Sequence, residues 1–217
     1  MNATPPAPAA PGPRTQAERR ASTQRKLLEA AVDCLVERGY QATTVVDVQQ
    51  RAGVSRGALQ HYWPSRAALV VDAVKALFDT MARRLRADMS ARAAGVAAAD
   101  PSRRIMVAIE LLWATFDSSL FRAELELWIA ARRDADLRPL VIEHDRQLGA
   151  DILTLCRDMF GPDLASHPRF EETVDLLVQG MRGAGIVAEL HPKRGQLFVR
   201  EWHRQTCHAL DVIVEPE

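Results

Sequence analysis

The stretch from Thr43 to Trp63, TTVVDVQQRAGVSRGALQHYW, admits few folds. The hydroxyl of Thr44 suits a helix cap, and Val45, Val48 and Ala52 follow at helical spacing. Gly53-Val54 interrupts that run, glycine being the residue that tolerates the left-handed turn closing a helix. Ser55 restarts the chain as a second cap, with Ala58, Leu59 and Trp63 as the inward side of another short helix. Neither helix is long enough to hold alone, so the pair folds as a helix-turn-helix or as an ordinary helical hairpin. The outward side of the second helix carries Arg56, Gly57, Gln60, His61 and Tyr62. Arg and Gln can read base edges in a major groove, and Gly57 lets a backbone approach closely.

Charge is placed in keeping with the first choice. The whole chain is formally neutral, which neither supports nor excludes nucleic acid. Up to Arg66, however, nine basic and five acidic residues give +4, and the remainder carries −4. A basic head on an acidic body is the footprint of a DNA-binding protein. Cys34, Cys156 and Cys207 are odd in number and widely spaced, which points to free thiols in a reducing compartment. With no apolar run of membrane-spanning length and no basic-then-apolar leader, the expectation is a cytoplasmic protein that uses no membrane.

Helix formers dominate and no alternating strand pattern stands out, so an all-α fold is expected. Residues 1–13 are rich in Pro and Ala and read as a tail, followed by a basic arm from Arg14 to Arg25. Lys26 to Arg38 reads as a helix with Leu27, Ala31, Cys34 and Leu35 inward, ended by Gly39. Pro64-Ser65 separates the hairpin from a long helix starting near Arg66, with Val70, Val74, Leu77, Met81 and Leu85 in one stripe.

The segment LLEAAVDCLVERGYQATTVVDVQQRAGVSRGALQHYWPSRAAL, Leu27 to Leu69, resembles the N-terminal domain of TetR/AcrR-family transcriptional regulators. The resemblance implies a three-helix DNA-binding domain, a connecting fourth helix, and a helical domain for ligand binding and dimerisation. The expected divisions are a disordered basic tail over 1–22, a helix-turn-helix domain over 23–69 and an effector and dimerisation domain over 70–217. Carried over by position, Thr44 caps the first helix of the motif and contacts phosphate. Ser55, Arg56, Gly57 and Ala58 open the recognition helix against the bases. Gln60, His61 and Tyr62 reach bases or backbone, and Arg66 stands where the family often has a phosphate-contacting lysine. Gln60 replaces a usual tyrosine, Val46 a frequent charge and Trp63 a usual phenylalanine.

Beyond Ser90 the reading rests on pattern. Ala91 to Asp100 reads as a loop, and Asp100-Pro101 as a helix start. Further helices are expected over Ser102 to Phe116, Leu120 to Arg133, Leu137 to Phe160, Phe170 to Leu190 and Arg194 to Val214. Met106, Trp113, Phe116, Phe121, Trp128 and Met159 are the large adaptable side chains that can line an effector cavity, with His144 as its polar partner. The same residues also suit an ordinary core. Phe170, Val174, Leu177 and Met181 form a stripe that, with the Trp202 helix, can pair with a second copy as a four-helix bundle, or be used up in the chain's own core. His203 and Cys207 stand one turn apart, but two ligands do not make a metal site, and no cofactor is implied. No Ser/His/Asp order or phosphate-cradling glycine loop appears, so nothing points to an enzyme. The reading is a homodimeric regulator, most simply a repressor on a palindromic double-stranded operator, released by a small apolar effector. A DNA-binding regulator controlled by a protein partner is the alternative.

Overall fold

The computed structural model describes residues 15–93, 100–191 and 195–213, and every regular element among them is helical. The first helix, α1, spans Gln16–Ala42. Its start is a capping box: Thr15 Oγ1 accepts the Glu18 N–H at 3.2 Å while the Glu18 carboxylate accepts the Thr15 N–H at 2.8 Å. Residues 16–22, expected in the tail, are therefore helical, and the T-x-x-E signature that makes them so was present in the sequence. The expected tail up to residue 14 lies outside the described residues. Helical geometry breaks at Gly39, whose φ of 73° and ψ of 168° suit a residue without Cβ.

The next helices follow the expected punctuation closely: α2 is Val45–Ala52, α3 is Arg56–Tyr62 and α4 is Arg66–Ala93. Then α5, Pro101–Trp113, is capped by Asp100, whose Oδ1 accepts the Arg103 N–H at 3.0 Å. A 3-10 turn over Ala114–Asp117 leads into α6, Ser119–Ala131. After α7, Leu137–Phe160, a four-residue helix α8, Pro162–Ala165, turns the chain into α9, Phe170–Leu190. The last helix, α10, is Gly195–Ala209 and stops short of the expected Val214. Most of the expected loop, residues 94–99, lies outside the described residues.

Two cores hold these helices. Leu27, Cys34, Val48, Leu59, Trp63 and Leu69 fill the smaller one, between α1, α2, α3 and the start of α4. The larger one runs from α4 to α10 around Val74, Ile109, Leu127, Leu155, Phe160 and Phe170. Each fully buried side chain of this size contributes about 1.5–3 kcal/mol. Both α1 and α4 belong to both cores: Leu69 and Val70 are neighbours in sequence and sit in different ones. The head cannot therefore rotate freely on the body. Trp63 adds a polar tie, its indole N–H donating to Asp72 Oδ2 at 2.8 Å.

The expected dimer stripe is used differently. Phe170, Val174, Leu177, Met181 and Trp202 are all buried within the chain's own core. They therefore offer no face to a second copy. The opposite face of α9 is the open one: Leu176 is 64% exposed, and Ile186 and Val187 are also exposed. An i, i+3, i+4 pattern identifies an apolar face but not which neighbour covers it, and here the inner face is covered by α7 and α10.

Candidate nucleic-acid interface and ligand cavity

Thr44 starts α2 by a second capping box, accepting the Asp47 N–H at 3.1 Å while Asp47 Oδ2 accepts the Thr44 N–H at 3.1 Å. The Thr44 hydroxyl also donates to Asp47 Oδ2 at 2.6 Å. That bond, with Arg38 beside the carboxylate, holds Asp47 below the usual carboxylate range. Gly53 closes α2 in the left-handed region (φ 65°, ψ 37°), and its N–H is returned to the last carbonyls of the helix. This turn sets α3 across α2, with Leu59 and Trp63 in the small core.

The other side of α3 is open. Ser55, Gly57, Gln60 and His61 are exposed, as is Thr44 at the start of α2. Ser55 begins α3 by position only, without a side-chain cap bond. A Cβ built on Gly57 would meet no atom within 4 Å, so nothing within the chain requires glycine there. Tyr62 is half-buried. Its ring meets His61 edge-on at 5.3 Å and Trp63 at 5.5 Å, and its hydroxyl turns toward the Arg20 carbonyl at 3.5 Å. The side chains of Arg56 and Ala58 lie outside the described residues.

Arg66 is not on this face. Its guanidinium stacks over the Tyr40 ring at 4.1 Å and donates to the Tyr40 and Thr43 carbonyls at 3.1 Å each. It also lies 4.0 Å from Asp134, in the link between α6 and α7. Within the chain Arg66 thus serves as a tether from α4 to the end of α1. Glu126 on α6 completes the same junction by accepting the Tyr40 N–H at 3.3 Å.

A cavity of about 60 Å³ lies between α4, α5, α6, α7 and α9, lined by Phe78, Phe116, Phe121, Trp128 and Ile152 among others. One water needs roughly 10–15 Å³ on this scale and a benzene-binding cavity measures about 150 Å³, so the space as it stands holds a handful of waters. Phe116, Phe121 and Trp128 are placed as expected. Trp113, Met106, Met159 and His144 are not among the lining residues. Trp113 packs on Phe116 at 5.9 Å and on Trp202 at 5.1 Å, away from the space. Met159 is wholly buried in the large core. Met106 is one helical turn beyond Ser102, the residue through which α5 meets His203 of α10, so it belongs to that side.

His144 acts at one remove. Its Nε2 lies 2.8 Å from Glu124 Oε1, and Glu124 lines the cavity. In the sequence Glu124 falls in line with Leu120, Leu127 and Trp128 but carries no expected site role, since a glutamate on an amphipathic helix ordinarily faces water; here it is only 4% exposed. The signal available was its position, three residues before Leu127 and three after Phe121, both on the buried side of α6. Arg182 also lines the space, stacked over Trp128 at 4.9 Å. Gly185 lets α9 approach: a Cβ there would stand 3.0 Å from the Phe121 ring.

At the far end, His203 Nε2 lies 2.9 Å from the Ser102 carbonyl oxygen and 3.3 Å from Cys207 Sγ, and burial pushes the Cys207 thiol up. Among the described residues no three His, Cys, Asp or Glu side chains gather as a metal site would require, and no helix is long and apolar enough to cross a membrane.

The model of the bacterial regulatory proteins of the tetR family matches residues 27–73, which are the ordered pair α2–α3 with its flanking helices. Over that segment the chain matches the tetR family. Among its relatives, the HTH-type transcriptional regulator CymR of Pseudomonas putida is 38% identical over 130 residues, 59% of this chain and 60% of that one. The match thus spans less than two thirds of CymR. An HTH-type transcriptional regulator of Mycobacterium tuberculosis is 28% identical over 180 residues, covering 83% of this chain and 89% of the relative. Of solved structures, a transcriptional regulator from Rhodococcus superposes with a TM-score of 0.55 at 26% identity, covering 87% of this chain and 91% of that one. The likeness of fold therefore extends past the matched head through the helical body.

Proposed function

We propose that this protein is a DNA-binding transcriptional regulator, a repressor in its simplest form, which binds a two-fold operator as a homodimer and leaves it when a small apolar effector enters the cavity. The observation that carries the reading is the α3 face. Gly57, Gln60 and His61 stand exposed on a helix whose other side is locked into the small core. Such a helix is free to enter a major groove, with the basic residues Arg19, Arg20, Arg25 and Lys26 of α1 in the same N-terminal head.

The pairing surface in this reading is the outer face of α9, where Leu176, Ile186 and Val187 are exposed, with Phe198 of α10 beside it. Two half-sites need two heads, and an isologous pair of such faces supplies them. Effector response follows from packing. The cavity holds little free space, so an occupant the size of even one ring has to part Phe116, Phe121 and Trp128. Phe121 and Trp128 ride on α6, the helix whose Glu126 holds the end of α1. A ligand acts only through its different affinities for two states, and displacement of α6 supplies the difference. Such a regulator works where the DNA is, in the cytoplasm.

Linkage gives the test. The factor by which a cavity ligand weakens operator binding must equal the factor by which operator weakens the ligand. Matched titrations by calorimetry read both, and a cavity ligand whose affinity is untouched by operator contradicts effector control.

A further inference from the structure

Three polar side chains line the cavity: Thr115, Glu124 and Arg182. Two are already engaged. The Thr115 hydroxyl donates to the Leu112 carbonyl at 2.7 Å, and Arg182 lies over Trp128 with Asp145 at 3.9 Å. Glu124 is engaged at one oxygen only. His144 meets Oε1 at 2.8 Å, whereas among the described residues no donor reaches Oε2, and the carboxylate side chain is 5% exposed. A buried acceptor without a donor is costly unless something supplies one. Around it stand the rings of Phe116, Phe121 and Trp128, which suit an apolar, planar body.

We infer that the cavity selects a small, uncharged, apolar molecule bearing one O–H or N–H donor, a phenol or similar compound, which donates to Glu124 Oε2 while His144 fixes the opposite oxygen. The inference rests on the effector reading above and names its ligand class. Charge argues for a neutral donor over an ammonium. Taking an ammonium out of water into this mostly apolar space costs more than taking a neutral donor, and the Arg182 guanidinium already lines it. A neutral donor satisfies the carboxylate without adding charge. Size limits the ligand to a single ring at most, since about 60 Å³ is well below the roughly 150 Å³ of a cavity that takes benzene, and even one ring must part Phe116, Phe121 and Trp128.

Phenol and toluene are matched in shape and differ in the donor, so they are the probes. Calorimetric titration of the full-length protein should show phenol binding about tenfold tighter than toluene, the ratio expected for one net hydrogen bond to a charged acceptor. Glu124→Leu should remove the preference. Because that change strands His144, the double variant Glu124→Leu/His144→Leu, which replaces both partners with apolar side chains, is measured alongside. It should fold, bind toluene at least as well as the parent and no longer prefer phenol. Benzylammonium, which keeps its charge at neutral pH, binding the parent more tightly than phenol would overturn the neutral-donor assignment. Toluene matching phenol on the parent, or a phenol preference surviving in the double variant, would overturn the role of Glu124 and leave effector control standing. If neither probe bound up to its solubility, the cavity reading and the inference would fall together.

Discussion

Glu126 and Tyr40 join the two ends of the molecule: the Glu126 carboxylate on α6 accepts the Tyr40 backbone N–H at 3.3 Å, across 86 residues of sequence. The residue before Tyr40 is Gly39, where a Cβ would stand 2.8 Å from Glu126 Oε2 and where φ is 73°. Gly39→Ala therefore meets both a positive φ and a carboxylate. It should destabilise the protein by about 1–3 kcal/mol, the range for non-glycine residues held in such backbone. Adding Glu126→Ala relieves the clash and leaves the backbone strain, so urea unfolding should show partial recovery only.

Leu176 and Leu177 separate pairing from folding. Leu177 is 5% exposed, inside the chain's own core, and Leu176 points away from it. Leu177→Arg buries an unpaired charge and should abolish or severely weaken folding. Leu176→Arg should give a folded protein with normal thermal unfolding that sediments as a monomer. A Leu176→Arg protein that remains dimeric would move the interface elsewhere.

Arg66 distinguishes a tether from a phosphate contact. A residue that neutralises a phosphate contributes about one unit to the dependence of binding on salt. Arg66 is held by the Tyr40 and Thr43 carbonyls and the Tyr40 ring. Arg66→Ala should lower stability and operator affinity while leaving the slope of log K against log salt unchanged. A slope reduced by about one would restore the phosphate role.

The cap of α2 gives a pH-dependent test. Thr44→Ala removes the acceptor for the Asp47 N–H and should cost about 1 kcal/mol. Asp47 is held below the ordinary carboxylate range by the Thr44 hydroxyl and Arg38, so its stabilising effect is complete above its unfolded pKa of about 4 and is lost as pH falls through the lower folded value. The gap in melting temperature between the parent and Asp47→Asn should be present at pH 6 and close below about pH 4.

The head was legible in the sequence because its signals are local. Thr44, Gly53 and Ser55 mark α2 and α3 within a residue, and the Asp100-Pro101 and Gly161-Pro162 pairs mark later helix ends. The capping box at Thr15 was equally local and shows that a polar, basic segment can be helical when its first turn is capped. What pattern could not supply is which partner covers an apolar face. The Leu177 stripe and Met159 have the composition of an interface or a cavity and are core, and Trp113 packs half-buried against that core. Glu124 has the composition of a surface residue and lines the cavity, because His144, 20 positions later on another helix, turns toward it. The tether at Arg66 was hidden for the same reason: its partners lie 23 to 26 residues back along the chain.

Gly57 bears on the central claim. Its Cβ position is open, and alanine is the better helix former by up to about 1 kcal/mol. Gly57→Ala should leave the free protein as stable or slightly more so, and the extra methyl should hinder approach of α3 to DNA.

The most direct measurement is selection of binding sites from random duplex DNA by the parent protein, followed by titration of the selected site against the parent, Gln60→Ala and Gly57→Ala. The account predicts a two-fold symmetric site with half-sites about one helical turn apart, bound at least a thousandfold more tightly than unrelated duplex, and weakened in both variants. Enrichment of no sequence, or equal affinity of all three proteins for the enriched site, would contradict it.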